Sequence, residues 1–101
     1  MNTITELSKM AGRVYVYIRN ETVAKKFLLD AEAEGFSFGD GEKPTSKTIS
    51  DLYVVNRDWS LNYVGFIGHI AYKSAKTVGK SEVIREDYEK YVLGFSDFII
   101  Q

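Results

Sequence analysis

Residues 51–72, DLYVVNRDWSLNYVGFIGHIAY, constrain the fold more than any other stretch of this 101-residue chain. Two apolar runs, Leu52–Val55 and residues 61–67, are rich in Val, Tyr, Phe and Ile and flank a polar cluster at residues 56–58. Such runs on either side of a short polar reversal are typical of two strands joined by a tight turn. We therefore predict a central β-hairpin over about residues 51–67.

The chain before this hairpin has the pattern of a βαβ unit. Residues 13–19, RVYVYIR, carry apolar or aromatic side chains on both faces, which indicates a strand in the interior of a sheet. Asn20 suits the N-cap of a helix over about residues 21–34, whose apolar stripe lies opposite its charged residues, and Gly35 suits the helix end. Residues 36–38 then return as an apolar strand, and the crossover is right-handed if the two strands are parallel neighbours.

The remaining segments complete a single α+β domain with a mixed sheet. We predict that residues 1–12 form an arm or a short helix and that residues 13–101 form the domain. Residues 39–50 hold the only proline and little apolar content, which indicates a long surface loop. A short C-terminal helix is expected over about residues 85–93, and the apolar residues 95–100 must pair as an edge strand or dock in the core.

Two features between the hairpin and the last helix interrupt regular structure. Gly65 and Gly68 lie in the second predicted strand and suggest a bulge or a close approach of another group. Residues 73–80, with three lysines, are expected to form a polar connection. Tyrosines fall in the predicted strands, where cross-strand pairing is their usual role. They are Tyr15, Tyr17, Tyr53, Tyr63 and Tyr72.

Composition excludes several classes of function. The chain has no cysteine, which removes thiol nucleophiles, thiolate metal sites and disulfides together. Thirteen basic and fourteen acidic residues give a net charge of −1 without blocks of like charge, so the electrostatic footprint of a duplex-binding protein is missing. Tyrosines on an uncovered sheet face could stack on single-stranded bases, but the RNP-type pattern of such platforms is absent, so we do not expect a nucleic-acid partner. The start of the chain does not resemble a signal peptide, and no apolar run reaches the length of a membrane span. We therefore expect a cytoplasmic protein without a membrane partner.

The tripeptide Gly79-Lys80-Ser81 matches the end of a phosphate-binding P-loop. That motif also needs a glycine five positions before Gly79, where this chain has Ser74. Without it the backbone amides cannot turn around the phosphates. We interpret the tripeptide as part of a solvated basic loop.

The titratable residues do not form a catalytic set in the sequence. His69 is the only histidine, and a lone histidine among apolar residues is more often a hydrogen-bonded, partly buried residue than a base or a metal ligand. Glu82, Glu86, Asp87 and Glu89 could supply a carboxylate pair, but we expect them on the solvated face of the C-terminal helix. The prediction is a protein without catalytic residues, metal or cofactor.

The tip of the predicted hairpin is the strongest candidate for a contact surface. Arg57, Asp58 and Trp59 lie side by side there, and exposed Trp and Arg are the residues that dominate the binding energy of protein interfaces. The alternative is that Trp59 packs back onto the sheet. The sequence leaves both open.

The order of these segments resembles that of small, largely uncharacterised proteins encoded by bacterial phages, prophages and integrative elements. The resemblance covers about residues 13–100 and rests on VYVYIRNETVAKKFLLDAEAEGFSFGDGEKP, DLYVVNRDWSLNYVGFIGHIAY and IREDYEKYVLG. It implies a small accessory protein that binds and inhibits a host factor, such as a defence system, or that sequesters a signalling nucleotide. It implies no catalytic residue.

Two functional hypotheses follow. The first is a non-enzymatic binding protein of a mobile element, which contacts a host protein through the hairpin tip and the loop at residues 39–50. The predicted binding residues are Arg57, Asp58, Trp59, Asn62, Tyr63, His69, Asp40 and Lys43. The second is a homo-oligomeric protein that binds a nucleotide or a small phosphorylated ligand. Its candidate ligand contacts are Lys43, Lys73, Lys76 and Lys80, together with tyrosine rings.

Overall fold

The computed structural model describes residues 2–64, 66–74, 76–78 and 81–100. Its elements, in chain order, are α1 (Ile4–Ser8), β1 (Arg13–Tyr17), α2 (Glu21–Ala33), β2 (Ser37–Phe38), a 3₁₀ turn (Pro44–Ser46), β3 (Leu52–Val55), β4 (Ser60–Tyr63), α3 (Phe66–Ser74), β5 (Thr77–Val78), β6 (Ser81–Asp87) and α4 (Tyr88–Val92). Across these described ranges, six strands form a mixed sheet in the order β2-β4-β3-β1-β6-β5. The predicted α+β domain with a mixed sheet is confirmed.

Strand β1 lies inside the sheet, as its two-sided apolar pattern predicts. It pairs antiparallel with β3, which places Val14 opposite Val55, and parallel with β6, which places Val14 opposite Ile84. β2 pairs parallel with β4 at the edge of the sheet. The βαβ unit is therefore split, because β3 and β4 lie between β1 and β2.

One face of the sheet, here called the first face, carries the main core. Helix α2 buries its predicted apolar stripe against this face, and Asn20 Oδ1 caps its start by accepting a hydrogen bond from the Val23 amide at 3.0 Å. The Phe27 ring stacks on Tyr53 and meets Tyr88 edge-on, with ring centroids 5.0 Å apart in both pairs. Aromatic pairs of this geometry add stability beyond the area they bury.

The short helix α1 belongs to the same core. Ile4 and Leu7 are fully buried. At the end of α2, Glu34 accepts hydrogen bonds from the backbone amides of Ile4 at 3.0 Å and Thr5 at 2.8 Å. An isolated helix of five residues is not stable in water, so α1 depends on this burial and these hydrogen bonds for its stability.

The opposite side, the second face, is covered by α3, and here the sequence prediction was partly wrong. The hairpin is confirmed, but its second strand ends at Tyr63, and Phe66–Ser74 is helical, which places Gly68, His69 and Tyr72 in a helix rather than a strand. The apolar run beyond Tyr63 lacks strict alternation, and such a run does not distinguish a strand from a buried helix. Gly65 lies outside the described residues.

The segment before α4 also differs from the prediction. Residues 77–78 are a strand rather than loop, and β6 continues to Asp87, so the confirmed short C-terminal helix begins three residues later than expected. Asp87 is the N-cap of α4 and accepts a hydrogen bond from the Lys90 amide at 3.3 Å. The expectation that Glu86 and Asp87 lie on a solvated helix face was wrong, because both are buried on β6.

The C-terminal segment docks as the sequence requires. The Asp87 amide donates to the Phe98 carbonyl at 2.8 Å, and the Ile100 amide donates to the Arg85 carbonyl at 2.8 Å. The Phe98 side chain packs against the main core. These hydrogen bonds cover part of the outer edge of β6.

Candidate functional site

Four aromatic rings line the edge of the sheet formed by β2 and β4. Phe36 lies 5.4 Å from Trp59, and Phe38 stacks on Tyr63 at 4.9 Å between ring centroids. Phe36 and Phe38 are buried, whereas Trp59 is 45% exposed and Tyr63 is 41% exposed. We call these four residues the aromatic edge. In each pair, therefore, the exposed ring packs on a buried ring and leaves part of its own surface in solvent.

The hairpin turn determines the position of Trp59. The Asn56 amide donates to the Ser60 carbonyl at 2.9 Å and closes a loop of residues 57–59, in which Trp59 has a φ of 66°, in the left-handed region. A three-residue hairpin loop commonly ends with a residue in this conformation, which glycine adopts most easily. Asp58 Oδ1 supports the turn by accepting from the Ser60 amide at 3.2 Å and the Ser60 hydroxyl at 2.5 Å. A large aromatic residue thus occupies a strained backbone position.

The loop at residues 39–50 is tied to the aromatic edge. Lys47 Nζ lies 5.6 Å from the centre of the Phe38 ring and 2.6 Å from Asp40 Oδ2. The hydrogen bond from Lys47 is the main cause that lowers the pKa of Asp40. The Tyr63 hydroxyl donates to the Thr48 carbonyl. These contacts give the loop a defined place beside the exposed rings.

Lys43 and Asn62, two further predicted binding residues, differ in where they lie relative to the aromatic edge. Lys43 is exposed at the start of the 3₁₀ turn, close in sequence to Asp40 and Lys47. Asn62 is exposed too, but successive side chains of a strand point to opposite faces, so it lies on the other side of β4 from Tyr63. Its Oδ1 accepts a hydrogen bond from Asn56 Nδ2 at 2.6 Å. Lys43 thus belongs to the loop beside the aromatic edge, and Asn62 lies on the other face of β4.

Arg57 and Trp59 point to different places. Arg57 Nη2 donates to the carbonyl oxygens of Lys9 and Met10, both at 3.2 Å, at the end of α1. Trp59 instead contacts Phe36. The predicted cluster at the hairpin tip is therefore divided, and Arg57 belongs to a cleft at the end of the sheet.

His69 lies on α3, away from the aromatic edge. Its Nε2 is 3.7 Å from Asp51 Oδ1, and the two side chains are 37% and 74% exposed. The pair is at the surface rather than on the floor of a cavity. No cluster of three or more His, Cys, Asp and Glu side chains suited to a metal ion occurs within the described ranges.

Among the lysines of the second hypothesis that the structure describes, Lys43 is separated from Lys73 and Lys76. Lys43 lies beside β2, whereas Lys76 immediately precedes β5, and these two strands form opposite edges of the sheet. Lys73 lies in the last turn of α3, close to β5 in the chain. Lys80 and Gly79 lie outside the described residues.

Sequence reasoning missed the contribution of Phe36 and Phe38 to this site. The signal was their i, i+2 spacing, which places both rings on one face of a strand. The partner strand could not be identified from that spacing, because the pairing of β2 with β4 depends on the whole topology of the sheet.

Comparison with known proteins assigns no family. No family model matches the chain, and no curated protein or solved structure is significantly similar to it. Among the described residues, none of the helices has the length and apolar character needed to cross a membrane. The geometry of the chain itself is therefore the guide to its function.

Proposed function

We propose that this chain is a non-enzymatic binding protein that contacts another protein through the aromatic edge. The observation that carries the proposal is Trp59, whose half-exposed indole is kept at a left-handed backbone position. Residues in such conformations cost roughly 1–3 kcal/mol and often mark functional sites. Trp and Tyr are also the residues most enriched at the energetic centres of protein interfaces.

The surroundings of the exposed rings fit a protein partner better than a small molecule. The rings of Trp59 and Tyr63 rise from a sheet edge with a polar loop beside them. Asp40, Lys43 and Lys47 supply charges of both signs, which matches the polar rim that surrounds an apolar interface centre. A small ligand would instead need a concave site that encloses it.

The resemblance to proteins of phages, prophages and integrative elements supplies the biological context of the proposal. In that context the partner is a host protein in the bacterial cytoplasm, and binding inhibits or modulates it. A defence system is the class of partner to test first.

Capture from a bacterial lysate tests the proposal. The tagged wild type is compared with Trp59→Ala and with Trp59→Ala combined with Tyr63→Ala. The control is Phe95→Ala, which removes another exposed aromatic ring that lies outside the aromatic edge. We expect the Trp59 variants to weaken capture of a specific protein at least about tenfold, whereas the control retains it.

Thermal unfolding of every variant separates loss of binding from loss of folding. The proposal is wrong if the captured protein is retained equally by the wild type and by the folded double variant. It is also wrong if Phe95→Ala weakens capture as much as the aromatic-edge variants do.

A further inference from the structure

A cleft of about 630 Å³ opens at the end of the sheet where β1 and β6 begin and β3 ends. Its size is within the range of small-ligand sites. Polar and charged side chains line much of it, namely Ser8, Arg13, Asn56, Arg57, Ser81 and Glu82. The cleft does not include any residue of the aromatic edge.

Arg13 is the residue of this cleft that has a buried side-chain nitrogen without a partner among the described residues. The guanidinium groups of Arg19, Arg57 and Arg85 donate hydrogen bonds to Asp87, to the end of α1 and to the Tyr72 carbonyl, respectively. In the part of the chain that the structure describes, the buried Nε of Arg13 has no hydrogen-bond partner. Burying part of a charged group without a partner is costly. Arg13 as a whole is only partly buried, so an anion that reaches the rest of its guanidinium would stabilise the charge.

The sheet positions Arg13 firmly. Because Val14 lies opposite Val55, the next pair in the same antiparallel register is Arg13 and Asn56. On the other side of β1, Arg13 lies opposite Val83. The guanidinium carbon is 5.9 Å from the centre of the Tyr15 ring, two positions further along the strand. Strand pairing therefore fixes the backbone of Arg13, and the Tyr15 ring lies beside its guanidinium.

A close approach of backbones forms the floor of the cleft. A Cβ atom at Gly12 would lie 2.6 Å from the Glu82 carbonyl oxygen and 2.9 Å from the Ile84 side chain. No other residue fits there without displacing β6. The glycine thus lets the start of β1 lie against β6 and keeps Arg13 at the cleft wall.

We infer that this cleft binds a small phosphorylated molecule, with Arg13 and Arg57 contacting the phosphate. A guanidinium presents a planar fork of donors that matches phosphate oxygens. Among the described lining residues, two arginines and the carboxylate of Glu82 give a net charge of +1, which favours an anion. Asn56, Ser8 and Ser81 add amide and hydroxyl groups for the rest of the ligand. The proposed contacts lie outside the aromatic edge and differ from the lysine contacts of the second hypothesis.

Titration of the full-length chain with inorganic phosphate, AMP and succinate tests this inference. The Nε–H resonance of Arg13, followed by NMR, is the direct readout, and calorimetry gives the affinities. We expect phosphate and AMP to shift that resonance. Arg13→Gln should weaken their binding roughly ten- to a hundredfold, because it removes hydrogen bonds to a charged group.

Two further variants make the test specific. Arg57→Gln should also weaken phosphate binding, whereas Lys25→Gln, which removes the same charge from an exposed site on α2, should leave it unchanged. The variant Trp59→Ala should bind phosphate normally and Arg13→Gln should retain protein capture, so the two proposals fail independently.

Three results would overturn the inference. The first is that neither phosphate nor AMP binds with a Kd below about 10 mM. The second is that Arg13→Gln binds both as tightly as the wild type does. The third is that succinate binds as tightly as phosphate, which would indicate a general anion contact rather than a phosphate site.

Discussion

The two faces of the sheet differ in how completely they are covered. The first face lies under α1, α2 and α4 and holds an aromatic cluster of Phe27, Tyr53 and Tyr88 that is almost entirely buried. The second face has a smaller cluster in which Tyr72 of α3 packs on Tyr15 with 5.7 Å between ring centroids. Burial of apolar area is the main source of stability. The first face therefore contributes more of the stability of the fold than the second face does.

Glu86 and Asp87, neighbours on β6, are both buried but lie in different surroundings on the two faces. Alternation places Glu86 on the first face, where it is fully buried and where neither carboxyl oxygen has a hydrogen-bond partner among the described residues. Burial raises the pKa of Glu86 to about 8. Asp87 points the other way and meets Arg19 Nη2 at 2.9 Å. The covered face thus holds a carboxyl group in its neutral form, whereas the other side of the strand holds an ion pair.

The largest expected effect compares the two clusters directly. Phe27→Ala should lower the free energy of unfolding by about 3–5 kcal/mol, because it removes a fully buried ring and leaves a cavity. Tyr72→Ala should cost about 1–2 kcal/mol, because its ring is partly exposed and covers the smaller cluster. Urea unfolding at one pH measures both. Equal losses would show that α3 contributes as much stability as α2.

The second prediction concerns Glu86 and the dependence of stability on pH. The pKa of Glu86 is about 8 in the folded chain, above its ordinary value of 4.5. Between these values the unfolded chain has released the proton and the folded chain still holds it. Stability therefore falls as pH rises from about 4.5 to 8, and it changes little with Glu86 outside that window.

Glu86→Met keeps the volume and removes the carboxyl group. It should stabilise the chain by about 3 kcal/mol at pH 7, and it should flatten the slope between pH 5 and 8. Glu86→Gln should flatten the slope as well, with a smaller gain, since its amide still lacks partners. Urea unfolding across this range is the measurement, and Glu89→Gln, on the partly exposed neighbour, is the control. A slope that persists in both Glu86 variants would place the titrating group elsewhere.

The sequence predicted those parts of the fold in which local periodicity and burial agree. β1 and α2 have clear apolar patterns and were found close to their predicted bounds, and the hairpin was found with a second strand that ends at Tyr63. α3 was missed, because a continuous apolar run fits a strand and a helix equally well. The burial of Glu86 was missed for another reason. Glu86 lies in the charged segment REDYEK, which is typical of a solvated helix. Because β6 extends to Asp87, Glu86 is on a strand instead, and its side chain faces the core.

The candidate surfaces were predictable in part. Trp59 was singled out from its place in a polar reversal. Its separation from Arg57 could not be predicted, since Arg57 contacts backbone oxygens 47 and 48 residues away, at the end of α1. The unpaired Nε of Arg13 also depends on distant strands, because the register of β1 with β3 and β6 decides what surrounds it. Contacts between distant segments leave no local pattern.

The smallest effect is expected at Trp59, and it bears most directly on function. At a φ of 66°, glycine should be more stable than alanine by about 1 kcal/mol, so Trp59→Gly should unfold at higher urea than Trp59→Ala. Both variants lose the contact with Phe36 equally, so their difference isolates the backbone strain. If alanine is as stable as glycine, the position is not strained and does not mark a functional residue.

Comparison of Trp59→Gly with the wild type then separates packing from function. The indole gains stability from Phe36 but is about half exposed, and the left-handed backbone costs roughly as much as that contact contributes. We therefore expect Trp59→Gly to lie within about 1 kcal/mol of the wild type in free energy of unfolding. A folded variant of near-normal stability that no longer captures a partner would show that the indole is retained for binding. A loss of several kcal/mol would instead identify Trp59 as part of the packing of the β2–β4 edge and would remove the main support for a protein-binding surface there.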